Sequence, residues 1–407
     1  FDNRSSDATS ITEGLGMLKA GKLSQDEYRR LEDKALPGCG SCSFLGTANT
    51  MCCLAEAMGM SLPGSATIPA VHSARLQAAQ ATGRQIVTLI EKGINARQII
   101  NQASIENTIR ANAAIGGSTN TALHLPAIAY EAGLQLDLDR FEELSRSTPL
   151  VAKMNPAAAP NLPDFHEAGG MPVVMKQILP LLNRDALTVT THTVADNVSD
   201  AAEPDNIIVR PLSNPWSAEG GLAVLRGNLA PNTAITKPAA IHPDMHRFTG
   251  QARCFDSEEE ANQAILNGEI REGEVVVIRY EGPKGGPGMR EMYTAMKLLY
   301  GRGLAMKTAL ITDGRFSGTN NGCFVGHISP EAAEGGVLAI VEDGDRITID
   351  VAARDLHLHL DEAEIASRLA RWQRPAPRYR RGYLGLYCQL AESADKGGIL
   401  RIRPVDD

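Results

Sequence analysis

The sequence predicts an α/β protein with a helical first half and a strand-rich second half. Helical spacing of apolar and small residues fills roughly the first two hundred positions, where strands are hard to place. Short apolar runs of strand type appear only beyond about residue 205. Two glycine-rich loops follow such runs, at 282–291 and 313–318. Open α/β folds place chemistry at the carboxyl ends of strands, so these loops are where function is expected.

In chain order, a helical pair is predicted over 11–20 and 24–35, with Ser24 and Glu27 at capping-box spacing. The loop PGCGSC, 37–42, leads into a run over 47–58 whose composition suits a buried helix. Further helices are predicted over 74–92, 105–114, 121–132 and 138–146. Character changes at 201–214, AAEPDNIIVRPLSN, which places a boundary near 205 between an N-terminal domain, 1–205, and a C-terminal domain, 206–407. Strands are then predicted over 222–225, 275–280, 308–312, 337–341 and 347–351, interleaved with helices over 257–267 and 289–300. A last helix over 361–372 takes Asp361 as its N-cap, and the tail after Pro375 is expected to wrap back over the body. Neither internal repeats nor low-complexity segments occur.

Bulk properties exclude several classes. A net charge of −8 removes the general electrostatic case for nucleic acid, and 4% aromatic residues argue against base stacking. No apolar run approaches the roughly 18–20 residues that span a membrane. The first residues, FDNRSSDATS, are polar and unlike a signal peptide. Seven cysteines, four of them between Cys39 and Cys53, make a poor disulfide framework and fit a reducing cytoplasm.

Four segments could carry chemistry. The run 308–312 delivers Ser317 into the glycine-flanked loop DGRFSG, as a reactive hydroxyl or as a turn residue; no Gly-x-Ser-x-Gly elbow is present. Cys39 and Cys42 form a Cys-x-x-Cys pair before a helix. Redox, zinc, iron–sulfur and buried structural roles all remain open on spacing. The loop EGPKGGPGMRE, 281–291, is neither a Walker loop nor a dinucleotide fingerprint, and its glycines allow close ligand approach. Glu291 would fall in the first turn of the next helix, to complement its dipole or to coordinate a hard cation such as Mg²⁺. The segment GGSTNT, 116–121, could cap a helix or bind a carboxylate or hydroxyl through Ser118, Thr119 and Asn120. His124 and His327 lie singly in apolar surroundings and read as packed.

Together these segments resemble the IlvD/Edd dehydratase family along nearly the whole chain. The matching pieces, in order, are CGSC with TANTM, MGMSLPG, GGSTN, EAGG, GNLAP, the loop ending at Glu291, and TDGRFSG with SPEA. The resemblance implies an iron–sulfur cluster, [2Fe–2S] ahead of [4Fe–4S], and Mg²⁺. It implies Cys42 as a cluster ligand, Glu291 as a Mg²⁺ ligand and Ser317 as the catalytic base. Cys39 has counterparts in only some members and receives no role.

The implied reaction is dehydration of a 2,3-dihydroxy carboxylic acid to a 2-keto acid by a hydro-lyase. The first expectation is the dihydroxy-acid dehydratase reaction of branched-chain amino-acid synthesis. The alternative is a sugar-acid (aldonate) dehydratase acting on arabinonate, xylonate or gluconate, favoured by Asn320 and Asn321, whose amides could bind sugar hydroxyls. A non-catalytic metal or redox protein built on Cys39 and Cys42 is the reading from another class. The family's remaining cluster cysteines and Mg²⁺ ligands lie upstream of the Cys42 segment. The chain is therefore expected to be part of a longer protein and to hold neither cofactor alone. The overall expectation is a helical α/β N-terminal domain and a C-terminal domain with a β-barrel-like core flanked by helices. The expected protein is a cytoplasmic homodimer or homotetramer that binds a small hydroxy acid.

Overall fold

The computed structural model describes residues 6–36, 38–40, 42–318 and 321–401. They fall into two compact units. The first takes Phe1–Leu36, Ala122–Ala127 and Ala223–Asp407, and the second takes Pro37–Thr121 and Ile128–Leu222.

The chain opens with α1 (Ala8–Lys19) and α2 (Gln25–Lys34). The capping box forms as expected: Ser24 Oγ accepts from the Glu27 amide at 3.2 Å, and the Glu27 carboxylate accepts from the Ser24 amide at 2.8 Å. The second unit is built from α3 (Thr47–Ala57), α4 (Ser73–Glu91), α5 (Ala96–Ile99), α6 (Gln102–Ile115), part of α7 (Thr121–Glu131), α8 (Leu138–Arg146), α9 (Leu162–Glu167), α10 (Gly170–Ile178) and α11 (Val194–Val198). Its centre is α6, which buries Ile105, Ile109, Ala113 and Ile115, with α3, α8 and α10 packed against it. Among the described residues this unit has isolated bridges but no strand. The mixed α/β composition predicted for the chain is present, with the strands confined to its second half.

The first unit is organised by a closed barrel. Its strands are β1 (Ala223–Gly227), β2 (Ala230–Thr236), β3 (Arg247–Phe255), β4 (Glu274–Ile278), β5 (Ala309–Thr312), β6 (Cys323–Ser329), β7 (Arg346–Asp350) and β8 (Asp355–Leu358), in the order β1-β2-β6-β5-β4-β3-β7-β8. The stretch β3-β4-β5-β6 is parallel, and the remaining pairs are antiparallel except the β1–β8 closure. Val275, Val277, Ile311 and Val325 fill the barrel, while Val276, Ile278, Leu310 and Phe324 face outward under α12 (Glu258–Asn267) and α13 (Tyr293–Arg302). Burial on both faces explains why β4 and β5 read as unbroken apolar runs. Helix α1 lies on α13 so closely that a Cβ on Gly301 would come within 2.0 Å of the Glu13 carbonyl.

Three expectations are corrected. The run 337–341 is not a strand but a 3₁₀ turn, Val337–Ile340, whose Leu338 and Ile340 join the barrel core. A short apolar run cannot distinguish these outcomes by periodicity. The helix expected over 289–300 begins at Tyr293, with Met292 as its N-cap, so Glu291 precedes it. Helix α14 (Glu362–Arg371) is capped by Asp361 as expected, but α15 (Gly382–Leu390) follows it. The tail does return to the barrel: Arg378 Nη1 lies 3.0 Å from Glu281, and Ser329 Oγ donates to Asp395 at 2.7 Å.

Candidate active site

The site in the first unit starts at the end of β5, whose four residues are all buried. Asp313 follows, fully buried, and its carboxylate accepts from the amides of Tyr280 at 3.1 Å, Glu281 at 2.9 Å and Ala332 at 2.8 Å. It thereby ties the exits of β4 and β6 to that of β5. Burial pushes its pKa up to about 6, against the pull of these three amides. The next glycine packs hard on the neighbouring loop: a Cβ on Gly314 would sit 3.0 Å from both the Arg290 carbonyl and Glu281 Cβ.

The two loops are then stitched together. The Arg315 amide donates to the Arg290 carbonyl at 3.0 Å, and the Met292 amide donates to the Arg315 carbonyl at 2.6 Å, making Glu291 and Arg315 a parallel bridge. Phe316 is the anchor, fully buried and stacked on Phe324 at 5.6 Å. Ser317, one residue on, is half-buried, and among the described residues its hydroxyl has no hydrogen-bond partner. The bridge therefore sets Glu291 opposite Arg315, two residues before Ser317.

The dipole explanation for Glu291 loses its basis. Helix α13 is capped instead by Glu258, whose carboxylate accepts from the amides of Thr294 at 2.9 Å and Ala295 at 3.2 Å. The glycines of the 282–291 loop serve a second buried acid. Glu331 accepts from the amides of Lys284 and Gly285, both at 2.8 Å, and a Cβ on Gly282 would collide with its Oε2 at 2.6 Å. Burial, then the charge of Asp313, pushes Glu331 up to about 8. Reading the sequence missed Glu258, Asp313 and Glu331. The one available signal was an acid directly after a strand or at a helix start.

Arg315 in the serine loop acts on two histidines. Burial, then Arg315, lowers His124, and burial with Arg315 and His124 pushes fully buried His327 down to about 3. His327 is thus neutral and packed, as its surroundings predicted. Asn321 is half-buried with Oδ1 3.5 Å from Lys297 Nζ, which also pairs with Glu13 at 3.0 Å. Asn320 lies outside the described residues.

The second unit gathers the other expected residues. Cys42 is exposed, and its carbonyl accepts from Asn49 Nδ2, which also donates to the Phe44 carbonyl at 2.8 Å. One turn along, Thr47 Oγ1 lies 3.0 Å from Ser118 Oγ and accepts from Asn120 Nδ2 at 2.8 Å. The Ser118 amide donates to Thr50 Oγ1 at 3.2 Å, and its carbonyl accepts from Thr121 Oγ1 at 2.8 Å. Ser118 and Asn120 therefore latch the start of α3. Thr119 Oγ1 is buried with no partner among the described residues. Glu56, pushed up to about 7 by burial, holds the amides of Gly64 at 2.7 Å and Ala66 at 3.0 Å.

The bridge thus sets a half-buried carboxylate across from the loop that carries Ser317. The comparisons with known proteins give the family. Residues 2–197 match the dihydroxy-acid/6-phosphogluconate dehydratase N-terminal family, and residues 207–398 match its C-terminal counterpart. The chain belongs to this family. It is 48% identical over 402 residues to a dihydroxy-acid dehydratase of Moorella thermoacetica, covering 98% of this chain and 73% of that protein. It is 50% identical over 386 residues to one of Ignicoccus hospitalis, covering 94% and 70%.

The donor chemistry suits the family's two groups: the exposed thiol of Cys42 is a soft ligand for iron, and the Glu291 carboxylate a hard one for Mg²⁺. Each is one ligand only. Among the described residues no three His, Cys, Asp or Glu side chains converge on a common point. Nor is any helix of the described residues long and apolar enough to cross a membrane.

Proposed function

We propose that the protein dehydrates a 2,3-dihydroxy carboxylic acid to a 2-keto acid, with the branched dihydroxy acid of amino-acid synthesis as substrate. The carrying observation is the bridge that sets Glu291 beside the loop of Ser317. The extended identity to proteins named dihydroxy-acid dehydratase supports the same reading. Ser317 takes the proton from C2 as an alkoxide, the C3 hydroxyl departs, and the resulting enol tautomerises to the keto acid. An ordinary serine is far too weak an acid for this, so its alkoxide needs positive surroundings. Arg315, two residues before it, supplies part of that field from this chain.

Glu291 would hold Mg²⁺, and Cys42 would hold one iron of a cluster, [2Fe–2S] in our reading. When bound they supply Lewis acidity to the C2 and C3 oxygens. Phe316 and Asp313 keep the serine loop in place from beneath. A division near residue 205 is supported by the gap between the matched segments, 197 to 207. Cysteine usage suits a cytoplasmic protein, and a homo-oligomer is our expectation for its assembly.

The sugar-acid alternative rested on Asn320 and Asn321. The Asn321 oxygen faces buried Lys297, so the described amide of the pair already serves the scaffold. The test uses the full-length protein, prepared without oxygen and given Mg²⁺. Keto-acid formation from 2,3-dihydroxyisovalerate is compared with that from C5 and C6 aldonates. Turnover of the branched acid alone supports the proposal, and turnover of aldonates alone overturns its substrate.

A further inference from the structure

We propose that Lys237 acts through Ser317, as the base that receives the serine's hydroxyl proton. The proposal rests on the reading of Ser317 as the group that removes the C2 proton. Lys237 is the first residue after β2 and is 1% exposed. Its Nζ is buried and has no hydrogen-bond partner among the described residues. The other buried lysine among them, Lys297, pairs with Glu13 at 3.0 Å. A buried amine without partners carries a cost that a methionine in the same place would not. Burial lowers its pKa to about 7, so near neutral pH much of it is free amine, an acceptor of protons.

The strand register places Lys237 beside the serine loop. Thr236 pairs with Val325 of β6, and its Oγ1 donates to the Phe324 carbonyl at 2.8 Å. Lys237, one residue on and still extended at φ −121° and ψ 81°, is therefore level with Phe324. Val325 points into the barrel, so Phe324 and Gly326 face outward. Residues level with each other on neighbouring strands share a face, which puts Lys237 on the outer one. Phe316 covers that face: it stacks on Phe324, and a Cβ on Gly326 would lie 3.1 Å from its ring. Ser317 follows Phe316 directly. The chain rejoins β6 through Gly322, whose carbonyl accepts from the Phe324 amide at 2.8 Å. A hydroxyl and an amine, both without partners, thus belong to one face of the barrel at one level of β6. Nζ is closed off from solvent, so a partner from elsewhere has no open path to it.

This pairing meets the requirement that the reaction places on Ser317. Transfer of the Ser317 proton to Nζ makes the alkoxide and leaves an ammonium as its counter-charge. The alkoxide takes the C2 proton, and the electron pair of that C–H bond forms the double bond to C3 as hydroxide leaves. The ammonium gives its proton to that hydroxide, which departs as water, so serine and amine are both restored. Arg315 stays charged throughout and cannot accept a proton.

The test uses the full-length protein, loaded with iron and Mg²⁺, and reads kcat and KM for 2,3-dihydroxyisovalerate from about pH 6 to about pH 9. Wild-type kcat should rise with pH on a limb near pH 7. Lys237→Met should lack that limb and lose about 10²- to 10⁴-fold in kcat, with KM changed less than about threefold. Its melting temperature should be no lower than that of wild type, because an unpartnered amine gives way to an apolar chain. Lys237→Arg keeps a cation that cannot lose its proton, and should be as slow. Wild-type turnover in either variant, or a limb retained in Lys237→Met, overturns the proposal and leaves the role of Ser317 standing. If Lys237→Met melts early, Lys237→Gln is read for the same limb; early melting of both makes the residue structural and overturns the proposal. A wild type that dehydrates no dihydroxy acid overturns the reaction itself, and this proposal with it.

Discussion

Ser317 and Ser118 both sit beside glycine in loops that a reader of the sequence would single out, yet the structure employs them in opposite ways. Ser118 is fully buried, and its hydroxyl, amide and carbonyl are all engaged by Thr47, Thr50 and Thr121. Ser317 is half-buried, anchored by its neighbour Phe316, and its hydroxyl has no partner among the described residues. A hydroxyl spent on holding a loop is not available to move a proton. The glycine loops differ in the same way: 116–121 latches α3, while 282–291 wraps the buried acid Glu331 and presents Glu291 beside the serine loop.

Substitutions at the two serines sharpen that contrast most. Ser317→Ala should lower turnover by about 10³-fold or more while leaving the melting temperature unchanged, since no hydrogen bond among the described residues is lost. Glu291→Gln should follow, at about 10²-fold in turnover. Ser118→Ala should behave in reverse. Stranding its partners costs about 1–2 kcal/mol, read as a lower denaturation midpoint, with catalysis changed less than tenfold. A Ser317 variant that melts early, or a Ser118 variant that is stable and dead, would break the comparison.

The buried acids predict a pH dependence. Asp313 and Glu331 are raised to about 6 and about 8 from 3.8 and 4.5, so between the lower and upper values the folded state binds more protons than the unfolded one. The contribution of these two acids to stability therefore falls as pH rises from about 4 to about 8 and levels off above. Glu331→Gln should flatten the upper part of that slope and make the variant more stable than wild type at pH 9 in chemical denaturation. The smallest effect is expected at Asn321, where Asn321→Ala should change KM for the branched dihydroxy acid less than about twofold. A larger change would return its amide to the substrate.

Much of this was legible in the sequence, for identifiable reasons. Ser24–Glu27 and Asp361 announced their helices because capping is local chemistry. β4 and β5 announced themselves because burial on both faces leaves 275–278 and 309–311 without a polar residue. β2, β3 and β6 did not, because Pro231, Gly250 and Gly326 interrupt their patterns. At Gly250 the interruption is required, since a Cβ would meet the Gly273 carbonyl at 2.2 Å. The bridge between Glu291 and Arg315 joins segments far apart in the chain, so no local pattern could reveal it. The buried acids were equally hidden: Asp313 and Glu331 look like ordinary loop carboxylates until their amide partners are seen.

The central claim is that Ser317 removes the C2 proton. The most direct measurement is release of deuterium from substrate labelled at C2, by the full-length protein and by its Ser317→Ala variant at matched iron content and melting temperature. The account predicts release by the wild type and none above background by the variant. Release by the variant at the wild-type rate would contradict it and assign the proton to another group.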